Sequence, residues 1–144
     1  MKKSIRNIRY LVVHCSATPE GRDHTAKDIA FWHKQRGFNE IGYNYIVRLD
    51  GTVELGRDVN KIPAHVTNYN KDSIGICYIG GIDKNTLQPK DTRTPAQKEA
   101  LKKLLKELKA LYPDAEILGH RDFPGVAKAC PCFNAKEEYK TIGK

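Results

Sequence analysis

Tyr10-Leu11-Val12-Val13-His14-Cys15-Ser16 decides the fold. Its short, β-branched apolar run reads as a buried strand, and it ends on residues that can do chemistry. Downstream, Ser73-Ile74-Gly75-Ile76-Cys77-Tyr78-Ile79 repeats the pattern and stops at Gly80-Gly81, and Glu116-Ile117-Leu118-Gly119 delivers His120. Helices fall between these strands. Thr25 with Asp28 makes a capping box for a helix to about Gln35, and Gly37 stops it. Thr94-Pro95-Ala96-Gln97 opens a second helix. Its apolar stripe runs through Ala100, Leu101, Leu104, Leu105, Leu108, Leu111 and Tyr112, opposite a lysine-rich face, and Pro113 ends it. A short last helix is expected from about Ala135 to Lys140.

One hairpin interrupts the alternation, with Tyr43 to Leu49 and Thr52 to Leu55 flanking Asp50-Gly51. The stretch from Asn60 to Asp72 has no period and reads as an irregular loop containing His65. Together these elements predict an α/β fold: one domain over residues 1–144, with a central mixed sheet flanked by helices. Sites in such sheets lie where several strands end together.

The chain has 144 residues, enough for one domain, and 40% of them are hydrophobic. No run approaches the roughly 18 uninterrupted apolar residues of a spanning helix, which argues against membrane insertion. The basic first ten residues lead into no long apolar segment, so no secretory signal is expected and synthesis is assigned to the cytoplasm. With 25 Lys plus Arg against 17 Asp plus Glu, the net charge of +8 favours an anionic partner. Nucleic acid, an anionic membrane face and an acidic cell-wall polymer all satisfy that requirement. Zinc-finger spacing and RNA-recognition motifs are absent, so no specific nucleic acid is expected. Four cysteines are too few for a disulfide scaffold and read as buried thiols or metal ligands.

His14 and His120 each follow a buried strand, so neighbouring strands would bring both imidazoles to the same sheet edge. Cys130 comes ten residues after His120. Two imidazoles and a thiolate form a first shell for zinc, leaving a fourth position for water. Each residue also has a plainer reading, as a hydrogen-bonded strand-end histidine or a small buried hydrophobe. Spacing alone does not choose between the two.

Val13-His14-Cys15-Ser16-Ala17-Thr18 resembles the first-ligand motif of the type 2 N-acetylmuramoyl-L-alanine amidases, in their phage lysozyme branch. Further segments agree in order: Trp32-His33-Lys34, Gly42-Tyr43-Asn44-Tyr45, Asp50-Gly51-Thr52-Val53-Glu54 and Gly56-Arg57-Asp58. Asn70 to Cys77, Gly80 to Asp83, Thr94 to Gln97 and Lys128-Ala129-Cys130-Pro131 continue the series. The resemblance implies a zinc amidase of peptidoglycan, related to the peptidoglycan-recognition domains and acting as a monomer. His14, His120 and Cys130 would be its metal ligands. Tyr43 would orient water or transfer a proton, and the Lys128 ammonium would stabilise the developing oxyanion. His65 is a candidate for gripping substrate or stabilising the oxyanion, with a surface role as the alternative. His33 is taken as structural.

Two departures from the phage pattern bear on the site. Cys132 follows Cys130 after one proline, which raises the question of which thiol takes the metal; the Lys128-Ala129-Cys130-Pro131 context favours Cys130. Gly119-His120-Arg121-Asp122 resembles the wider family rather than the phage branch. Three functions stay distinct at this point: a phage or prophage endolysin, a cytoplasmic muropeptide-recycling amidase, and a recognition domain that binds without cutting.

Overall fold

The computed structural model describes residues 1–143. Five strands form one sheet in the order β4-β3-β5-β1-β7: β1 (Tyr10–Cys15), β3 (Tyr45–Val47), β4 (Val53–Leu55), β5 (Ser73–Tyr78) and β7 (Glu116–Gly119). β5 lies in the middle; β1 sits between it and the edge strand β7 and runs parallel to both, and β3 is parallel to β5. Only β4 runs antiparallel, through the expected hairpin, so the sheet is mixed. Two two-residue strands, β2 (Thr18–Pro19) and β6 (Gly81–Ile82), pair separately beyond the ends of β1 and β5. Segments that short show no periodicity in a sequence.

The buried strands sort their side chains by the two-residue period. Leu11 and Val13 of β1, Ile74 and Ile76 of β5, and Ile117 of β7 face one layer, which contains α2 (Pro95–Leu111) and α3 (Ala135–Glu138). Leu101, Leu104, Leu105 and Leu108 of α2 fill that layer. Each contributes roughly 1.5–3 kcal/mol by leaving water. Cys77 lies on the opposite face with Ile46 and Ile29, the last from α1 (Ala26–Gln35). On the same face Val12 meets Leu118 and Phe123. His14 is two residues after Val12, and His120 two after Leu118, so both share this second face.

Both expected capping boxes form, Thr25 with Asp28 and Thr94 with Gln97. Gln97 is fully buried, and its Nε2 also donates to the carbonyls of Val47 and Ile79, fastening α2 to the sheet. Gly37 closes α1 with φ +95°, in the left-handed region that favours glycine.

β3 is shorter than the sequence pattern suggests, and Tyr43 lies just outside it. Backbone pairing still continues there, with Asn44 N–H donating to the Gly75 carbonyl and Gly56 and Arg57 N–H donating to those of Asn44 and Tyr43. The Asn44 side chain adds to these bonds: its Oδ1 accepts from Gly75 N–H and its Nδ2 donates to the Arg57 carbonyl.

Candidate metal centre

His14 stands at the carboxyl end of β1 and is 1% exposed. The β1–β7 pairing aligns Val12 with Leu118 and Val13 with Gly119, so His120 emerges beside His14. Their ring centroids are 4.5 Å apart. A 3-10 turn over His120–Asp122 fixes the second histidine, with the Asp122 carboxylate accepting from Gly119 N–H at 2.8 Å. The chain then loops back, and Arg121 N–H donates to the Cys130 carbonyl at 2.9 Å. Cys130 Sγ in turn accepts from Cys15 N–H at 3.2 Å. The sheet edge in question is therefore the carboxyl end of β1 and of β7, the outermost strand on that side.

One donor atom from each of His14, His120 and Cys130 falls within 4.8 Å of the other two. His14 Nδ1 lies 3.9 Å from Cys130 Sγ. Bonds of about 2.0–2.3 Å in a tetrahedron set donor spacings of roughly 3.3–3.6 Å, so small adjustments would close the group around an ion. This group could hold a metal. Cys132 turns away from it: its Sγ sits 3.9 Å from Cys15 Sγ and donates to the Gly81 carbonyl at 3.3 Å. Hydrogen bonding and burial push the Cys15 thiol up to about 12 and raise that of Cys132, so both stay protonated at neutral pH.

Behind His14, its Nε2 lies 2.7 Å from His65 Nδ1, and His65 Nε2 lies 2.7 Å from Ser73 Oγ. Burial holds the His14 imidazole well below its ordinary pKa, helped by the facing His65. His65 is pushed down to about 3, mainly by burial. His120 is also lowered, by burial and by the Lys128 charge. All three rings are neutral at pH 7, the form that binds metals.

A cleft of about 660 Å³ opens in front, lined among others by His33, Arg36, Tyr43, His65, His120 and Lys128. Tyr43 places its ring 4.9 Å from that of His14, and burial raises its pKa well above 10, so the hydroxyl remains a proton donor. Lys128 is exposed at the rim. His33 is buried, its Nδ1 accepts from Gly42 N–H at 2.8 Å, and it steadies the turn that presents Tyr43. Sequence reasoning gave no role to Arg36 or Ser73. Ser73 stood inside a family-like segment, and Arg36 lay three residues beyond His33, but neither carried a motif. A more apolar groove between β4 and α2 contains none of these groups.

Residues 4–133 match the family model described as N-acetylmuramoyl-L-alanine amidase. The endolysin of Klebsiella phage KP32 is 45% identical over 126 residues, covering 88% of this chain and 82% of the relative. That of Escherichia phage T7 is 40% identical with the same coverage. Among solved structures, the N-acetylmuramoyl-L-alanine amidase LysC from Clostridium intestinale URNW superposes with a TM-score of 0.75 at 28% identity. That match covers 92% of this chain and 82% of LysC.

Proposed function

The chain belongs to the N-acetylmuramoyl-L-alanine amidase family, and from that premise we propose that it is a zinc-dependent phage or prophage endolysin. The bond cut joins the lactyl group of N-acetylmuramic acid to the L-alanine of the stem peptide. The observation that carries this reading is the convergence of His14, His120 and Cys130 at the mouth of a cleft that also holds Tyr43 and Lys128. Two imidazoles and a sulfur, with no carboxylate among them, suit zinc rather than the hard cations bound by oxygen. When bound there, zinc supplies Lewis acidity, bringing the pKa of a coordinated water toward about 7 and polarising the scissile carbonyl.

The remaining work falls to the chain. Lys128 Nζ brings a positive charge to the side of the cleft where negative charge gathers on the carbonyl oxygen, and stabilisation is effective where charge develops. Tyr43 Oη, kept protonated by burial, orients the attacking water or donates to the departing amine of L-alanine. Arg36 and Lys128 make the cleft positive. With the net charge of +8, that suits an anionic wall polymer as substrate. Residues 1–144 act as one catalytic domain in this reading, at the cell wall.

Digestion of purified peptidoglycan, with and without a chelator, tests it. Mass spectrometry should find stem peptides beginning at L-alanine and glycan strands with free lactyl carboxyls, and the chelator should abolish both. New reducing sugar ends would instead identify a glycosidase. Turnover of soluble muropeptides without attack on intact sacculi would assign a recycling amidase.

A further inference from the structure

His65 was expected to face substrate, yet both of its ring nitrogens are committed within the protein, Nδ1 to His14 and Nε2 to Ser73. The outer end sets the direction of the protons in this chain. His14 Nδ1 faces Cys130 Sγ at 3.9 Å, so it must keep its lone pair to bind an ion there, and the His14 proton sits on Nε2. His65 Nδ1 accepts that proton, and a neutral imidazole has one N–H, so His65 donates from Nε2 to Ser73 Oγ. Ser73 is fully buried, and the Asn70 carbonyl 3.5 Å from its Oγ gives its own proton an acceptor to turn toward. The opposite polarity would put a proton on the atom that must bind the ion.

The surroundings hold this relay in place. Asn70 Oδ1 accepts from the backbone N–H groups of both His65 and Val66 at 2.8 Å, pinning the loop. The His65 ring lies against the backbone of β5 at Gly75, where a Cβ would stand 3.0–3.2 Å from Nδ1, Cγ and Cε1. A side chain there would require the ring to give by a few tenths of an ångström. Glycine permits the approach.

We infer that His65 is a positioning residue: through the His14–His65–Ser73 relay it fixes the tautomer and orientation in which His14 presents Nδ1 to the metal. This rests on the zinc reading above. It is the outer-layer device by which ligand histidines are aimed, here built from a second histidine and a serine.

The test compares His65→Leu, which removes the acceptor, His65→Asn, which keeps an acceptor oxygen near the Nδ1 position, and Ser73→Ala. Zinc affinity is measured by chelator competition, and the imidazole tautomers by long-range proton–nitrogen NMR of metal-free protein. In the native chain both His14 and His65 should carry their protons on Nε2. His65→Leu should weaken zinc binding by roughly 10- to 100-fold and mix the His14 tautomers, with KM for a muropeptide unchanged. His65→Asn should recover most of the affinity. Native zinc affinity with a native tautomer in His65→Leu overturns the inference, as does a raised KM at unchanged zinc affinity. Should His65→Leu not fold, Ser73→Ala and the native tautomers decide. Failure of the native chain to take up one equivalent of zinc would sink the metal reading instead, while the tautomers would still judge the relay.

Discussion

Arg93→Ala should destabilise the protein by about 3 kcal/mol. The Arg93 side chain is only 2% exposed. Its Nε and Nη2 donate to the two oxygens of Asp91, each at 2.9 Å, and Nη1 and Nη2 donate to those of Glu138 at 2.7 and 2.9 Å. Nη1 also donates to Tyr139 Oη at 3.0 Å, and the guanidinium carbon lies 3.4 Å from the Phe133 ring centroid. Removing one partner of a fully buried ion pair costs about 3–5 kcal/mol. Asp91 and Glu138 are 32% and 44% exposed, so water re-solvates them and the ionic loss drops to about 2–3 kcal/mol. Loss of the cation–π contact adds about 0.5–1 kcal/mol. For a chain of this size the sum lowers the melting temperature by roughly 6–12 °C. Circular dichroism melts at pH 7 would measure it.

Acid provides an internal control for Arg93→Ala. Hydrogen bonds from Arg93 lower the Glu138 pKa, and at Asp91 burial pushes upward but the Arg93 contacts outweigh it. Both carboxyls are thus depressed on folding. Their contribution is complete above the unfolded values near 4 and vanishes as pH falls through the folded ones. The gap between native protein and variant should therefore narrow toward pH 3. A drop in melting temperature below about 2 °C, or a gap indifferent to acid, would refute the ion-pair reasoning. Phe133 lies three residues beyond Cys130, so the variant should also retain zinc less tightly.

Cys130→Ser should abolish zinc uptake and lysis, whereas Cys132→Ser should leave zinc stoichiometry at the native value; equal loss in both variants would contradict the assignment of the ligand thiol. Lys128→Ala should lower kcat by roughly 10²- to 10³-fold, the cost of removing an oxyanion donor, with metal content and muropeptide binding intact. Full turnover in that variant would remove Lys128 from the chemistry. The chelated protein should lose stability as pH falls below about 6.5. His33, pushed down to about 4 by burial, and His65, at about 3, refuse protons that the unfolded chain accepts. Melting temperatures that do not change between pH 7.5 and 4.5 would show that these rings are not buried as described.

Local chemistry was readable where neighbouring residues suffice to determine structure. The β-branched runs of β1 and β5, the Asp50-Gly51 turn and both capping boxes are short-range signals, and all of them form. What depends on partners distant in the chain was less legible. The Asn44 side chain bonds to Gly75 and Arg57 beside the start of β3, contacts no local period encodes. The contacts of the two His65 ring nitrogens with His14 and Ser73 were not legible, because no motif or local period links these residues. Cys130 and Cys132 could not be ranked by type, and only the backbone course through Pro131 separates their directions. The grouping of His14 with His120 and Cys130 could be drawn from strand ends and loop length, but family resemblance was needed to prefer it over the plainer readings, since separations of this size follow no compact ligand spacing.

His14 lies more than a hundred residues before His120 and Cys130, and β1 finds both its sheet neighbours far downstream. Parallel pairing of this kind is slow to form, because long loops must close before any contact compensates. During synthesis His14 leaves the ribosome long before Cys130 exists. A nascent chain that has not yet reached Cys130 therefore cannot bring the three side chains together.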